Sequence, residues 1–396
     1  MVHDFHYFKA KAQGPGRRLR GRPQCLAKMT ARGSKEPKGF HSCLLRLCPY
    51  HGPMNSSGLP RLAHSCFLTK EPGLAVPRGL RPEPLLEVFP GLAVCDQRPL
   101  PAGTGCWTPL GTLSLAAGEG LVPSLQSTTP WTGRGTLRFE TAEGQLTLLP
   151  VTFGGAGPVP TPREAPDPSL PSLTQGLDGV IAKASQNLTV SLRLEGDPGA
   201  LLLSFARRAW AQGLEAEDPG QSATLPSFPP RSQIAEGGDA ARHRCSPTSL
   251  RMVLEGWGHA LPDDFYEACR HGAFDRFFGL WPQNLAALQG YPATGVLQLF
   301  SSLAQAKRLL DAGFALVPSI RFSAGALPEA PLGETQGHLL VLRGFRDGAA
   351  EVLDPAAPKP DTVARRYPLA AFAKAWLAHR GAAYVLWPQP WEGDAP

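Results

Sequence analysis

The sequence contains no long apolar run. No window of its 396 residues approaches the roughly 18 consecutive apolar residues that a membrane-spanning helix needs, so no membrane span is predicted. The N-terminus also lacks the apolar segment of about 7–15 residues that marks a signal peptide. These two absences favour a cytoplasmic protein, or an exported one if translation begins at a different residue.

Cysteine is too sparse and too unevenly spaced for a disulfide framework. The chain has eight cysteines in 396 residues, and six of them precede residue 107. Cys25, Cys43, Cys48 and His51 match no common zinc-finger spacing. The sequence also contains no glycine-rich phosphate loop, no HExxH and no paired CxxC, so we predict neither a cofactor nor a metal ion.

Acidic residues are scarce only near the N-terminus. Residues 1–53 hold eleven Lys and Arg against two Asp and Glu, whereas the remainder has a small acidic excess. A nucleic-acid partner would have to be recruited by this N-terminal segment, because the remainder offers no basic excess, and no such partner is predicted. Residues 1–53 also lack helix or strand periodicity. We predict either a disordered basic leader or a start of translation further downstream, for example at Met54.

Short runs of strand-forming residues fill the chain from about 107 to 207. Examples are GTLRFET, GQLTLLPVTF, NLTVSLRL and GALLLSFARRAW, separated by Gly, Asn, Asp and Pro. This pattern is typical of a β-sandwich or barrel. Two Pro-rich stretches, 154–175 and 213–231, are predicted as linkers. We therefore predict a β-rich accessory domain over 54–222 and a second domain of helices and strands over 223–396.

The stretch HRCSPTSLRMVLEGWG (243–258) predicts a helix that begins beside a cysteine. One face is apolar and consists of Leu250, Val253, Leu254 and Trp257. Ser246 is expected as N-cap and Pro247 as the first helical residue. Cys245 would then lie just outside the helix N-terminus, where unpaired N–H groups stabilise a thiolate. The helix alone leaves two interpretations of Cys245 open, a buried inert cysteine and a nucleophile.

A β-hairpin is predicted over 338–354. The runs HLLVLRGF and AAEVL flank Asp347-Gly348, a dipeptide that favours two-residue hairpin turns. His338 begins the first strand and Asp354 follows the second, so their side chains are expected to lie side by side at the open end of the hairpin. A carboxylate there would hold one ring nitrogen of the histidine while the other faces a thiolate.

The order of these residues resembles that of papain-like cysteine peptidases, in which a helix-start cysteine precedes a strand-start histidine and then an aspartate. CSPTSLRMVL, GHLLVLRGF and VLDPAA look like the bacterial double-glycine (bacteriocin-leader) peptidase-like family, in its stand-alone, peptidase C-39-like branch. FFGLWPQNLAALQGY and FAKAWLAHRGAAYVLWP fit that branch as well. The resemblance covers about 230–388 well, 107–207 weakly and residues 1–53 not at all.

The resemblance implies a fold and a set of site residues. The fold is α+β, a papain-like cysteine peptidase domain preceded by a β-sandwich-like domain and the disordered basic leader. Cys245 is implied as the nucleophile, His338 as the base that activates it, and Asp354 as the group that orients the imidazole. The family also implies an upstream glutamine that donates to the oxyanion, and Gln233 occupies that place.

Two residues of the GLWPQN loop, Trp281 and Asn284, are candidates to line a substrate cleft, with packing in the core as an equally good interpretation. The chain departs from the family at two positions. Leu280 stands where the branch usually has Asn, and Ser246 stands where the general family has Gly after the cysteine. Neither departure removes a catalytic group.

From these features we predict a cysteine peptidase that hydrolyses a peptide or related amide bond in a peptide or protein substrate. One alternative keeps the same residues but transfers the acyl group to an amine. Another is a non-catalytic protein that binds its partner through the β domain. The sequence indicates no oligomeric state.

Overall fold

The computed structural model describes residues 58–390, except 71–75, 94, 102–104, 149, 155–169, 177, 210–215, 239 and 271–277. The predicted leader, the cysteines and histidine within it, and most of the Pro-rich stretch 154–175 lie outside the described residues. Pro53–Pro396 fall in one compact unit.

The N-terminal half of the described chain is built mostly of strands. In chain order they are β1 (Ser65–Thr69), β2 (Cys95–Pro99), β3 (Trp107–Leu115), β4 (Glu119–Ser127), β5 (Gly133–Thr141), β6 (Gly144–Thr147), β7 (Val151–Phe153), β8 (Leu173–Gln175), β9 (Val180–Ala182), β10 (Gln186–Glu195) and β11 (Ala200–Ala209). The strand runs that the sequence predicts appear here, with GQLTLLPVTF divided between β6 and β7. β8 falls inside the stretch predicted as a linker.

These strands form two sheets that share a hydrophobic core. The first sheet has the order β2-β1-β11-β4-β9-β8, and the second has the order β3-β10-β5-β6 with β7 beside β5. Leu121 and Leu203 of the first sheet and Phe139 and Val190 of the second lie in one buried cluster. The division of the chain into a β-sandwich-like accessory domain and a second domain stays a prediction.

The C-terminal half contains a third sheet of seven strands. They are β12 (Ala293–Leu299), β13 (Ala315–Phe322), β14 (Thr335–Leu339), β15 (Val341–Arg346), β16 (Ala349–Leu353), β17 (Ala364–Pro368) and β18 (Ala382–Pro388). Their order is β12-β18-β13-β15-β16-β17, with β14 beside β13. All of the pairings are antiparallel.

The α-helices are short. They are α1 (Glu83–Val88), α2 (Cys245–Gly256), α3 (Phe265–Cys269), α4 (Trp281–Ala286), α5 (Leu303–Asp311) and α6 (Leu369–Trp376). In the part of the chain that the structure describes, no helix is long and apolar enough to cross a membrane.

Helices cover both faces of the third sheet. On β18, Ala383, Val385 and Trp387 join the cluster of α5 and α6, whereas Ala382, Tyr384 and Leu386 join the cluster of α2, α3 and α4. Because side chains of a strand alternate between faces, burial of both faces requires a continuous apolar run, and AAYVLW supplies it. α2 thereby lies against the sheet that carries the other predicted site residues.

The predicted hairpin turn is confirmed. Arg346 pairs with Ala349, so Asp347 and Gly348 are the two turn residues. Both have positive φ, 48° and 68°, as a type I′ turn requires.

The first hairpin strand is shorter than predicted. HLLVLRGF is interrupted at Leu340, and His338 therefore belongs to β14, which pairs with β13 and not with β16. Leu340 donates to the carbonyl of Pro318 on β13, and Pro318 has no N–H to donate in return. His338 and Asp354 therefore do not face each other across one hairpin ladder, although their side chains lie side by side as expected.

Side-chain amides join the first two sheets to the third. Gln126 on β4 donates to the carbonyl of Ala293 at 3.1 Å and accepts from the N–H of Gly295 at 2.9 Å. Gln289 likewise accepts from the N–H of Trp131 at 3.3 Å and donates to its carbonyl at 3.0 Å. Each amide thus supplies the donor and the acceptor that a neighbouring strand would supply.

Gln283 of α4 is the most heavily bonded of these amides. Its Oε1 accepts from the N–H of Thr152 at 2.8 Å, and its Nε2 donates to the carbonyl of Thr152 at 3.0 Å and to that of Ala268 at 2.9 Å. The side chain is fully buried. It therefore connects β7, α3 and α4 at one point.

The predicted linker 213–231 packs against the third-sheet region where the structure describes it. Ser222 exchanges two hydrogen bonds with Phe345 of β15, at 2.9 and 3.0 Å. The N–H of Ala223 donates to Asp311 at 2.9 Å. The side chain of Phe228 is buried under α2. These contacts fix the segment in place, and the boundary predicted at 222/223 stays a prediction.

Gln283→Leu should destabilise the protein, because it leaves backbone groups of Thr152 and Ala268 without partners. Each unsatisfied group costs about 1–3 kcal/mol, so we expect the free energy of unfolding in urea to fall by about 3 kcal/mol. Gln336→Leu, at an exposed position of β14, is the control and should change it by less than about 0.5 kcal/mol. Similar losses in both variants would contradict the role given to Gln283.

Candidate active site

Helix α2 begins at the cysteine itself. Its first residue is Cys245, and the N-cap position is Arg244, which makes no side-chain capping bond. The prediction of Ser246 as N-cap and Pro247 as first helical residue is therefore wrong. The hydroxyl of Ser246 instead lies 2.8 Å from the phenol oxygen of Tyr384 on β18. Cys245 is thus in the first turn, where backbone N–H groups have no partner within the helix.

Of the predicted apolar face of α2, Leu250, Val253 and Leu254 are fully buried, whereas Trp257 is the C-cap residue and only partly buried. Ser249, on the same helix, donates to the carbonyl of Leu339 at 3.3 Å. This bond ties α2 to β14, directly beside the predicted histidine.

His338 approaches the cysteine from the sheet. It lies on β14, pairs with Ile320 of β13 and is almost completely buried. The imidazole and the thiol of Cys245 are hydrogen-bonded, and the backbone N–H of Leu339 donates to the same sulfur. Cys245 itself is partly exposed, so its sulfur lies at the boundary between the protein interior and solvent.

Asp354 holds the other ring nitrogen. Nε2 of His338 lies 2.7 Å from Oδ1 of Asp354, and both side chains are buried. Because Nε2 is engaged there, Nδ1 is the nitrogen left to face the thiol. The structure therefore brings Cys245, His338 and Asp354 into one hydrogen-bonded series, although His338 and Asp354 come from separate strand ends.

The charges of this series shift the pKa values of its members. Burial raises the pKa of the Cys245 thiol. The hydrogen bond and charge of His338 and the N–H of Leu339 together lower it by more, so the net shift is downward. Burial lowers the pKa of His338, but the charge and hydrogen bond of Asp354 raise it more, and the net shift is upward. Both shifts favour a thiolate paired with an imidazolium.

The carboxylate of Asp354 has two further donors. The N–H of Ala356 donates to Oδ1 at 2.9 Å, and the phenol of Tyr367 on β17 donates to Oδ2 at 2.6 Å. Burial raises the pKa of Asp354, but His338, Tyr367 and Ala356 together hold it below its usual range. Tyr367 was not predicted as a site residue. The sequence of its strand, ARRYP, contains no pattern that predicts a contact between Tyr367 and Asp354, because the contact forms only when the strands pair.

Gln233 lies next to the aspartate segment. Its backbone N–H donates to the carbonyl of Pro355 at 2.9 Å, and its side chain is only 3% exposed. Among the described residues, Oε1 of Gln233 has no hydrogen-bond partner. These contacts relate Gln233 to the Asp354 end of the site, and its role toward Cys245 stays a prediction.

Trp281 and Asn284 are buried on α4. The N–H of Trp281 donates to Asp178 at 3.0 Å, and the guanidinium of Arg380 lies 5.3 Å from the centre of its indole ring. Asn284 donates to the carbonyl of Phe278 at 2.7 Å. These contacts favour the packing interpretation of both residues.

The other described cysteines differ from Cys245. Cys66 and Cys269 are buried, Cys106 is exposed, and burial raises the pKa of the Cys269 thiol well above its ordinary range. In the described ranges, no three or more His, Cys, Asp or Glu side chains are grouped so as to hold a metal ion. Of the described cysteines whose pKa shift is resolved, Cys245 alone has a lowered value.

Residues 226–384 match the model of the Peptidase_C39 like family. A double glycine motif protease from an AMS/PCAT transporter, in complex with the leader peptide, aligns at 18% identity and a TM-score of 0.31. A C39-like peptidase from Bacillus anthracis aligns at 16% identity and a TM-score of 0.33. Each alignment covers 43% of this chain and 98% of the other. A search of the curated proteins found no match.

A thiol, an imidazole and a carboxylate in hydrogen-bonded series are the groups that thiol peptidases use. Residues 226–384 match the model of the Peptidase_C39 like family, and the resemblance predicted from the sequence is confirmed. The match includes Cys245, His338, Asp354 and Gln233. It includes none of the strands β1 to β11.

The pairing of Cys245 with His338 predicts an unusually acidic thiol. In wild-type protein, iodoacetamide should alkylate Cys245 at pH 6.5 at least about tenfold faster than the exposed Cys106. The lowered pKa of the Cys245 thiol leaves more of it as thiolate, and the thiolate is the form that iodoacetamide alkylates. His338→Gln removes the hydrogen bond and charge that lower the pKa, leaving burial to raise it, so alkylation at pH 6.5 should fall at least about tenfold.

Peptide mass spectrometry separates the two sites, and Cys106 serves as the internal control because His338→Gln should not change its rate. An unchanged rate at Cys245 in His338→Gln would rule out the proposed pairing.

Tyr367→Phe should destabilise the folded protein, because Oδ2 of a buried carboxylate loses its donor. Hydrogen bonds to charged groups contribute about 1.5–3 kcal/mol, and we expect a loss of about 2 kcal/mol in urea unfolding at pH 7. Tyr291→Phe, which removes a phenol that is only partly buried, is the matched control and should lose less than about 0.5 kcal/mol. If the two variants lose the same stability, Tyr367 does not support Asp354.

Proposed function

We propose that the protein is a cysteine peptidase that hydrolyses a peptide or related amide bond. The observation that carries the proposal is the series in which the Cys245 thiol bonds to His338 and His338 bonds to Asp354 at 2.7 Å. Its pKa shifts favour the thiolate, which is the nucleophilic form of cysteine. The family match of residues 226–384 supports the same reaction class.

In the first half of the reaction, the thiolate of Cys245 attacks the carbonyl carbon of the substrate. A C–S bond forms and the carbonyl π electrons move to oxygen, giving a tetrahedral oxyanion. The side-chain amide of Gln233 and the backbone N–H of Cys245 donate to that oxygen. The N–H of Cys245 is suited to this role, since the first residue of a helix has no intrahelical acceptor for it.

Collapse of the intermediate then breaks the C–N bond. The imidazolium of His338 transfers its Nδ1 proton to the departing amine, and Cys245 is left as a thioester. In the second half, His338 accepts a proton from water as the water attacks the thioester. The oxyanion then collapses, the C–S bond breaks and the product acid leaves, so that Cys245 is again a thiolate beside the imidazolium of His338. Asp354 stays ionised throughout and keeps Nε2 in place.

The proposal predicts that amide hydrolysis depends on Cys245, His338 and Gln233. On a pool of unstructured peptides, Cys245→Ala should abolish cleavage, and His338→Ala should lower kcat/KM at least about a thousandfold. Gln233→Ala should lower kcat about a hundredfold, the usual effect of removing one oxyanion donor. Mass spectrometry of the products measures cleavage, and added amines show whether the acyl group passes to water or to an amine.

Cys106→Ala is the matched control, since it removes an exposed thiol that has no part in the series. Its activity should equal that of the wild type. Cleavage that persists in Cys245→Ala would exclude Cys245 as the nucleophile. Capture by added amines in place of water would favour amide transfer over hydrolysis.

A further inference from the structure

The side-chain amide of Gln233 is not oriented by any hydrogen bond to its oxygen in the described part of the chain. The side chain is buried, yet Oε1 has no hydrogen-bond partner in the part of the chain that the structure describes. A side chain without such a partner takes its direction from its backbone and its packing. The groups that fix the backbone at Gln233 therefore decide where the amide points.

Ser232 fixes that backbone. Its hydroxyl donates to the carbonyl of Ala357 at 2.5 Å and accepts from the N–H of Ala235 at 3.0 Å. The same residue's carbonyl accepts from the N–H of Glu236 at 3.1 Å. Ser232 is 1% exposed, so these bonds are not exchanged for bonds to water. The turn that carries Gln233 is thus closed by one hydroxyl that uses both its donor and an acceptor.

The hydrogen bonds of Gln233 and Ser232 end on the backbone segment that follows Asp354. The N–H of Ala356 donates to the Asp354 carboxylate at 2.9 Å, and the N–H of Ala357 donates to the Asp354 carbonyl at 3.2 Å. The carbonyls of Pro355 and Ala357 in this segment accept from Gln233 and Ser232, respectively. The adjacent residues Ser232 and Gln233 are therefore both bonded to carbonyls of the segment that follows Asp354.

We propose that Ser232 is a positioning residue that aligns the amide of Gln233 with the oxyanion. It acts by tying the Gln233 turn to the same backbone segment that carries Asp354. The inference rests on the proposed function, in which Gln233 donates to the tetrahedral intermediate. Ser232 itself touches neither the thiol nor the substrate, and its effect passes through Gln233.

Two reactions of Cys245 distinguish this role from a general structural one. Acylation by p-nitrophenyl acetate passes through a tetrahedral oxyanion, whereas alkylation by iodoacetamide is a direct displacement at carbon that forms no oxyanion. Both need the same thiolate, and neither needs a natural substrate. In Ser232→Ala we expect acylation of Cys245 to slow about tenfold and alkylation to stay within about twofold of wild type.

A double variant shows whether the effect passes through Gln233. Once Gln233→Ala has removed the donor, adding Ser232→Ala should slow acylation no further, because coupled residues are non-additive. Ser222→Ala is the matched control. Its hydroxyl also bonds to a backbone N–H, that of Phe345, but away from the site, and both reactions should be unchanged.

The outcomes separate the two proposals. The proposed nucleophile is tested by comparing acylation of the wild type with acylation of Cys245→Ala. The proposed role of Ser232 is tested by the ratio of the acylation rate to the alkylation rate in Ser232→Ala. An unchanged ratio in Ser232→Ala overturns the inference, whether both rates stay high or both fall together. An equal loss from Ser232→Ala in the Gln233→Ala background also overturns it.

Discussion

The buried carboxylate of Asp354 is the constraint on which the rest of the site depends. An unpaired buried charge costs several kcal/mol, and this one is offset by three donors, from His338, Tyr367 and the N–H of Ala356. Its charge raises the pKa of His338, and His338 in turn lowers the pKa of Cys245. The pKa of the Cys245 thiol therefore depends, through His338, on the buried carboxylate of Asp354.

The hydrogen bond between Cys245 and His338 also requires that α2 and β14 keep a fixed separation to within a fraction of an ångström. The thiol comes from α2 and the imidazole from β14, which lie far apart in sequence. Two serines of α2 hold them together, Ser246 through Tyr384 on β18 and Ser249 through the carbonyl of Leu339. Both bonds are buried, so the helix meets the sheet through polar contacts as well as through its apolar face.

Much of this arrangement could be predicted from local sequence, and the departures have long-range causes. The apolar face of α2 and the Asp347-Gly348 turn depend on neighbouring residues, and both were predicted. The start of α2 was misplaced because Ser246 bonds to Tyr384, and no local pattern shows which serines find such partners. The division of β14 from β15 depends on Pro318 in the facing strand. Tyr367 enters the site only once β16 and β17 have paired.

The strands that precede the family match share buried hydrogen bonds with it. Within the match, the Gln283 side chain accepts from the N–H of Thr152 and donates to its carbonyl. The N–H of Trp281 donates to the carboxylate of Asp178. Both partners lie in the part of the chain that the match does not cover. If that part were a loosely tethered binding module, α4 would leave buried polar groups unsatisfied each time the module moved away. The contacts are better explained if the β-rich strands form a permanent support for α4.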